Sequence, residues 1–385
     1  MAMSLKVEVA VSQLNKHGEE LCGDCVEIVQ NDGVIIVMSD GLGSGVKAHI
    51  LSSITTKMAA TMLKGGLPLE EVIDTVAPTL PVCEVRHLAY STFSILTVTP
   101  DQNAHLVEYD NPLAFFGHGA DLIPLDRHIK TYSGRAVHES FFEVRDGDWL
   151  VLASDGVLHA GIGGIWNLGW GWNRIGDYLR RVASREDDAR SMAFGLTETT
   201  DRLYAGKPGD DVTAVAVKVR VPRQLTVLAG PPVDTSDDPK VVARFMASAG
   251  KKAICGGTTS LMVARETGHR VQVNMSTIRE GIPPTGQMEG VDLVCEGVLT
   301  LSKVVDLLRE GIPLRRTLAY KPDGPSRLAG LLLEADEIRF MVGRAINPAH
   351  QSPELPVNLA LKHKIIEDLS RRLQDIGKKI RLEVF

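Results

Sequence analysis

The sequence predicts two domains of different fold class, an antiparallel α+β domain over residues 1–222 and an α/β domain over residues 223–385. In the first domain, strand-like segments outnumber helical ones and several follow one another as hairpin neighbours, which favours an antiparallel sheet. In the second, strands alternate with helical patterns, as in an open and mostly parallel sheet. The Gly/Pro-rich loop Ala229–Pro239 follows a strand and places the boundary just upstream, near Val221–Gln224.

Four segments of the first domain have strand character, beginning with the apolar run VIIVM at residues 34–38. The others are FSILTVT, DWLVLAS and TAVAVKVRV, and the alternating valines of the last predict one face more buried than the other. After the Gly-rich loop that follows VIIVM, apolar spacing predicts a helix. Its buried face includes Ala48, Thr55 and Met62, and Ser44 is its expected N-cap.

The second domain alternates five strand-like segments with five helices. The strands are QLTVLAG, KKAICGG, RVQVNM, VDLVCEG and KIRLEVF. The helices are predicted at Lys240–Ala249, Thr258–Glu266, Ser302–Arg309, Arg327–Ala345 and Leu359–Ile376. Gly377 stands where a helix of this kind ends, one residue beyond its C-cap.

The composition argues against several classes of partner and location. A net charge of −6 over 385 residues argues against nucleic acid or an anionic membrane as the main partner. No apolar run approaches the roughly 20 residues that span a bilayer, and MAMSLKVEVA lacks the pattern of a signal peptide. Five scattered cysteines, an odd number, suit a reducing compartment, so we expect a cytoplasmic protein with no membrane contact.

Four acidic turns in the first domain resemble one another. They are CGD with Asp24, MSDG with Asp40, ASDG with Asp155, and PGDD with Asp210 and Asp211. Asp-Gly pairs are common turn formers, so any single turn carries little weight. Each of the four adjoins a strand, however, and converging carboxylates repel one another unless a cation neutralises them. Their oxygen ligands favour magnesium or manganese over zinc.

The flanks of these turns resemble a known family. GEELCGDCVEI, VIIVMSDGLGSGVKA, DWLVLASDGV and GDDVTAVAVKV look like the successive motifs of the metal-dependent serine/threonine protein phosphatases of type 2C. The bacterial subgroup named for stage II sporulation protein E is the most similar, and the resemblance covers about Leu5–Arg220. It implies an antiparallel β-sandwich flanked by helices, with two Mn²⁺ or Mg²⁺ ions at one end.

The resemblance also implies a role for each acidic turn. Asp40 would bridge both metals, and the carbonyl of Gly41 would bind the second metal. Asp155 and Asp210 would bind the first metal, and Asp24 would hold the second directly or through water. Asp40 and Asp155 are the expected catalytic residues. Whether Asp211 binds metal stays open.

The implied reaction is hydrolysis of phosphoserine or phosphothreonine by a water that two metals activate. The expected substrate is a bacterial regulatory phosphoprotein of the anti-sigma-factor-antagonist type. Two features of the eukaryotic members are missing: Leu42 replaces a His after the Asp-Gly pair, and no Arg comparable to their phosphate-gripping residue precedes Asp24. His17 lies nearby in sequence, either as an ordinary loop residue or with a role in catalysis.

Two further segments allow two interpretations each. Trp166, Trp170 and Trp172 lie in a Gly-rich insert that either packs into the core, which we favour, or contacts a protein partner. In the second domain, ICGGTTSLMVAR (254–265) places Gly-Gly and Thr-Thr-Ser at a helix start, for ordinary capping or, less favoured, for anion binding. The expected role of residues 223–385 is regulation or dimerisation, with a homodimer as an open hypothesis.

Other functions stay in view beside the phosphatase. A phosphatase-like domain without activity would bind a phosphoprotein while the second domain senses a ligand. The complete set of metal acids counts against this alternative. A weaker third hypothesis is a nucleotide-binding enzyme that uses the Gly-rich loop after Asp40.

Overall fold

In the computed structural model, the described residues are 5–30, 33–41, 43–79, 91–132, 134–185, 188–311, 318, 320–345 and 356–385. They form two compact units that divide between Val221 and Pro222.

The first unit contains eleven described strands and five described helices. The strands are β1 (Lys6–Leu14), β2 (Cys25–Gln30), β3 (Val34–Gly41), β4 (Ser91–Val98), β5 (Asn103–Tyr109), β6 (Phe115–His118), β7 (Asp121–Leu122), β8 (His128–Tyr132), β9 (Arg135–Glu143), β10 (Asp148–Ala153) and β11 (Val212–Arg220). The helices are α1 (Gly45–Lys64), α2 (Leu69–Thr79), α3 (Asp155–Leu158), α4 (Gly171–Ala183) and α5 (Ala189–Leu203).

These strands form two antiparallel sheets, in the orders β1-β11-β10-β6-β7 and β2-β3-β4-β5-β9-β8. Apolar side chains of both sheets, such as Met38, Leu96 and Val217, meet in a buried layer between them. Helices α1 and α2 cover the outer face of the second sheet, while α4 and α5 cover the first. The predicted sandwich flanked by helices is therefore confirmed.

In strand β11 one face is more buried than the other, as predicted: the valines face the interior of the sandwich, whereas the opposite face ends in the half-buried Lys218 and Arg220. Ser44 takes the predicted N-cap position of α1, without the expected side-chain hydrogen bond. Its hydroxyl donates to Glu19 Oε1 at 3.3 Å instead. Of the predicted buried face of α1, Ala48 and Thr55 are buried and Met62 is half-buried.

The second unit is built on one mixed sheet. Its strands are β12 (Gln224–Ala229), β13 (Lys251–Cys255), β14 (Gln272–Asn274), β15 (Thr285–Met288), β16 (Val291–Cys295), β17 (Glu337–Val342) and β18 (Lys379–Val384). Its described helices are α6 (Asp238–Met246), α7 (Gly257–Thr267), α8 (Val298–Arg309), α9 (Gly324–Glu334) and α10 (Pro356–Asp375), with short 3-10 turns at Thr235–Asp237 and Met275–Thr277.

The strand order is β14-β15-β16-β13-β12-β17-β18, with parallel pairing from β16 to β18 and antiparallel pairing among β14, β15 and β16. This confirms the mostly parallel α/β sheet. From β12, the chain first builds outward through β13 and β16, and then returns to the other side of β12 with β17 and β18. The connection order of the strands therefore reverses between β12 and β17, which makes this position the topological switch point of the sheet.

One helix prediction here was wrong. The segment 327–345 was predicted as a single helix, but α9 ends at Glu334 and β17 begins at Glu337. Three consecutive buried residues of β17, Phe340 to Val342, belong to a strand with both faces covered, which helical periodicity does not distinguish from a buried helix. Gly377 has a φ of 81° just after α10, as predicted.

Within the described residues, no helix combines the length and the apolarity that crossing a membrane requires.

Candidate metal centre

Four acidic side chains lie where strands of the two sheets end. Asp24 immediately precedes β2, and Asp40 is the penultimate residue of β3. Asp155 begins α3 directly after β10, and Asp210 lies in the turn before β11. Since β3 belongs to one sheet and β10 and β11 to the other, the four turns come from both layers of the sandwich.

The electrostatics of Asp40 indicate that these acids lie close together. Burial raises the pKa of Asp40 to about 10, with further contributions from the negative charges of Asp24, Asp155 and Asp210. Burial also raises the pKa of Asp24 to about 6. The pKa of Asp210 is raised by burial and then by the charge of Asp155. Asp40 is thus the residue that interacts with all three other acids.

Neighbouring polar groups hold the Asp24 carboxylate. Thr213 and Ser154 both hydrogen-bond to it and lower its pKa, although burial outweighs them. These two residues are themselves linked, because the Thr213 amide donates to Ser154 Oγ at 2.8 Å. Gln13 Nε2 donates to Thr213 Oγ1 at 3.0 Å and to the Asp24 carbonyl at 3.2 Å. Strands β1 and β11 therefore support Asp24 from one side.

Two glycines allow close backbone contacts beside the acids. A Cβ on Gly41 would lie 2.4 Å from the carbonyl oxygen of Ala48 in α1. A Cβ on Gly156 would lie 2.0 Å from the carbonyl oxygen of Asp211. Distances this short exclude any side chain without a backbone shift, so the glycines of the two Asp-Gly motifs are required by packing.

Asp211 lies against the same cluster but is partly committed to the backbone. Its Oδ1 accepts a hydrogen bond from the Lys16 amide at 3.0 Å. Its Oδ2 is buried without a hydrogen-bond partner, as is Oδ2 of Asp24. Buried carboxylate oxygens without partners are costly, and a divalent cation with oxygen ligands would compensate both.

The residues present therefore fit a hard divalent cation. The donor set consists of carboxylate oxygens, which suits Mg²⁺ or Mn²⁺. Across the part of the chain that the structure describes, no three His, Cys, Asp or Glu side chains already form a closed ligand set.

The structure brings together all four acids that the sequence singled out as metal ligands, and Gly41 directly follows Asp40. Leu42, where the eukaryotic members have a His, lies outside the described residues. His17 is exposed, and its amide donates to the Pro208 carbonyl at 2.8 Å, which anchors its loop beside the turn that carries Asp210.

Sequence reasoning missed several neighbours of the acids. Thr213 and Ser154 contact Asp24, and the charge of Lys16 lowers the pKa of Asp210. His159 Nδ1 lies 3.8 Å from Asp155 Oδ2. Ser154 and Thr213 lie within the quoted ASDG and GDDVT segments, and His159 follows Asp155 by four residues, one helical turn, so all three had a sequence signal.

The tryptophan insert has packed tryptophans and also exposed apolar side chains. Trp170 is buried, and Trp172 stacks on Phe115 with ring centroids 4.8 Å apart, so the favoured core packing is confirmed for these two residues. Ile165 and Leu168 of the same insert are 64% and 86% exposed. An apolar surface therefore lies next to packed tryptophans.

Comparisons with known proteins agree with this arrangement of motifs. Residues 30–220 match the family model of stage II sporulation protein E. The chain is 22% identical over 229 residues to stage II sporulation protein E of Bacillus subtilis (strain 168), covering 56% of this chain and 26% of that protein. It is 24% identical over 224 residues to the Priestia megaterium protein of the same name, and the match covers 56% of this chain and 36% of that protein. The chain thus spans well under half the length of these relatives.

Among solved structures, the phosphatase domain of Bacillus subtilis SpoIIE with a fragment of its regulatory domain superposes with a TM-score of 0.48. The sequence identity is 21%, over 57% of this chain and 65% of that chain.

Proposed function

Because residues 30–220 carry a phosphatase domain of the stage II sporulation protein E family, we propose that the first unit hydrolyses phosphoserine or phosphothreonine on a regulatory protein. The observation that carries the proposal is the convergence of Asp24, Asp155 and Asp210 on Asp40. Burial of Asp40, together with the negative charges of these three acids, raises its pKa to about 10. Carboxylates that interact this strongly, with Asp24 buried, need a compensating positive charge.

The proposed ligands are Asp24, Asp40, the carbonyl of Gly41, Asp155 and Asp210, which together would hold two Mn²⁺ or Mg²⁺ ions. The chemistry that such ions supply is activation of water as a nucleophile and neutralisation of charge on the phosphoryl group. The buried Oδ2 of Asp24 supports its place in this set, since it has no hydrogen-bond partner in the protein.

The residues around the acids have their own tasks in this proposal. Thr213 and Ser154 orient the Asp24 carboxylate through the contacts described above. Lys16, whose charge already acts on Asp210, is the candidate to contact a phosphoryl oxygen in place of the missing arginine. His159, 52% exposed beside Asp155, is the candidate to protonate the leaving serine or threonine oxygen.

The substrate is proposed to be a phosphoprotein of the anti-sigma-factor-antagonist type, in line with the family. The exposed Ile165 and Leu168 of the tryptophan insert provide an apolar surface that such a protein would contact.

The test measures phosphate release from a phosphoserine peptide and from p-nitrophenyl phosphate by the full chain. We expect hydrolysis that requires Mn²⁺ or Mg²⁺ and falls at least 100-fold in Asp40→Ala and in Asp155→Ala. Asp126→Ala is the matched control, because the Asp126 side chain is 85% exposed and does not contact the acids.

Circular dichroism of each variant shows whether it is folded. Undiminished hydrolysis in excess chelator, or by folded Asp40→Ala, would contradict the proposal.

A further inference from the structure

The second unit has a large cavity at one edge of its parallel sheet. Its volume is about 1880 Å³, and its lining includes Gly230 and Gly256, which directly follow β12 and β13, and Gly297, which follows β16 after one intervening residue. In open α/β sheets, ligands bind outside the carboxyl ends of the strands, at the topological switch point, where the connection order of the strands reverses. Here the reversal lies between β12 and β17, next to Gly230.

The first turn of α7 opens into this cavity without a side-chain cap. The helix starts at Gly257 after Gly256, whose φ is 124°, and no side chain accepts from its first amides. The ordinary helix capping favoured for ICGGTTS therefore takes the form of a glycine N-cap, Gly256, which contributes no side-chain hydrogen bond. Helix α8 at the same edge differs, because Glu296 Oε2 accepts from the amides of Leu299 and Thr300. An uncapped helix start binds anions such as phosphate through its free amides and its dipole.

An independent observation on the cavity wall also points to a ligand. Asp238 lines the cavity and is only 3% exposed. Its Oδ2 accepts from Arg265, but its Oδ1 is buried and has no hydrogen-bond partner. Buried carboxylate oxygens are normally satisfied, so a ligand hydroxyl is the group that fits here.

The remaining walls carry exposed apolar side chains and charged side chains of both signs, including Lys362. Val233, Leu261 and Leu299 line the cavity and are 68%, 67% and 40% exposed. Lys362 Nζ donates to the carbonyl of Gly343, which directly follows β17. A Cβ on Gly230 would lie 2.4 Å from this same nitrogen, Lys362 Nζ. The cavity thus combines an uncapped helix start, an unpartnered carboxylate oxygen, exposed apolar side chains and a lysine.

We propose that this cavity binds a nucleotide. The phosphate lies at the start of α7, a ribose hydroxyl donates to Asp238 Oδ1, and the base packs on the apolar side chains around Leu261. Lys362 lies at the reversal between β12 and β17, where it supports a further phosphate group. The sequence contains neither GxGxxG nor GxxxxGK[ST], which is why motif matching alone does not find this site.

The test is calorimetric titration of the full chain with AMP, ADP, GMP, GDP and CMP in excess chelator, so that metals at the acidic cluster do not contribute. The matching nucleosides, ribose 5-phosphate and inorganic phosphate form the comparison arms. We expect at least one nucleotide to bind ten times more tightly than its nucleoside and than inorganic phosphate. Equal affinity for inorganic phosphate, or no binding of any nucleotide at millimolar concentration, would overturn the proposal.

Gly257→Asp tests the location of the site. A Cβ at Gly257 meets open space, and Asp is favourable in a first helical turn, so the variant is expected to fold. Its charge should weaken nucleotide binding at least tenfold. Gly330→Asp in α9, where a Cβ also meets open space, adds the same charge elsewhere and should leave binding unchanged.

Equal binding by wild type and folded Gly257→Asp would refute the assignment to α7. Because the test concerns residues 222–385, it does not depend on phosphatase activity, and Mn²⁺-dependent hydrolysis by Gly257→Asp should be retained.

Discussion

Asp40 combines burial with the charges of three other acids, and its carboxylate is costly to ionise without a cation. Natural sites of this kind trade stability for function, since groups selected to bind metal destabilise the metal-free fold. We therefore predict that replacing the ionisable carboxyl of Asp40 stabilises the metal-free protein while abolishing its response to metal.

Asp40→Asn should raise the stability of the chelated protein by about 1–2 kcal/mol, or about 2–8 °C in Tm, because asparagine folds without the proton uptake that Asp40 requires near neutral pH. The same variant should lose the Tm increase that Mn²⁺ gives wild type. Thermal denaturation with and without Mn²⁺ measures both effects, with Asp126→Asn as the exposed control. A lower Tm for Asp40→Asn in chelator would count against this description of the cluster.

The pH dependence follows from the direction of the same shift. The pKa of Asp40 is raised from 3.8 to about 10 in the folded state, so folded protein holds a proton that unfolded protein releases. Stability from this group is complete below pH 3.8 and decreases as pH rises towards 10. The chelated protein should therefore lose stability between pH 5 and pH 8, and the loss should be smaller in Asp40→Asn. An equal slope in both proteins would assign the effect to other groups.

Thr213 tests the support of a metal ligand. Thr213→Val removes the hydroxyl that contacts Asp24 but keeps the shape of the side chain. Loss of such an outer contact typically lowers metal affinity 10- to 100-fold. Mn²⁺ titration should show weaker binding than in wild type, whereas Thr226→Val, at a buried threonine of the second unit, should bind normally. Unchanged affinity in Thr213→Val would exclude this positioning role.

At the scale of single residues, the sequence predicted the four acids better than the residues that contact them. Asp24, Asp40, Asp155 and Asp210 each sit in a local motif of two or three residues. The contact of Gln13 with Thr213 instead spans 200 positions and depends on the pairing of β1 with β11, which no local pattern contains.

At the scale of elements, each Asp-Gly motif joins a strand to a helix through a close backbone contact. Gly41→Ala should lower stability by roughly 1–3 kcal/mol, because a Cβ would lie 2.4 Å from the Ala48 carbonyl oxygen and force strand β3 away from α1. Gly164→Ala is the control, since its Cβ would meet the nearest atom at 3.6 Å. Chemical denaturation compares the two, and equal midpoints would show that the β3–α1 contact adapts freely.

Element prediction succeeded where a pattern was locally unambiguous and failed where burial was two-sided. VIIVM became β3 and Gly377 ends α10 as expected. Strand β17 was predicted as part of a helix. Layers from distant parts of the chain cover both of its faces, which removes the alternation that identifies a strand.

At the scale of the molecule, two compact units carry different candidate sites, an acidic cluster in residues 5–221 and a cavity in residues 222–385. The fold classes of both units followed from the order of strands and helices along the chain. The strand orders did not, because pairs such as Lys6 with Arg220 and Gln224 with Glu337 join distant segments.

Each ligand should stabilise its own unit. Hydrogen exchange of the full chain should show Mn²⁺ protecting amides near Asp40 and Asp155, and nucleotide protecting amides at the start of α7. Binding to the native state alone slows local opening in the unit that holds the ligand. Protection of the α7 region by Mn²⁺ in the absence of nucleotide would contradict this division.

The central claim is that the acidic cluster is a divalent metal site, and calorimetric titration with Mn²⁺ tests it most directly. We predict that wild type binds two ions, that Asp40→Ala loses this binding, and that Asp126→Ala keeps it. Absence of Mn²⁺ binding to folded wild type, or the same two-ion titration in folded Asp40→Ala, would contradict the account.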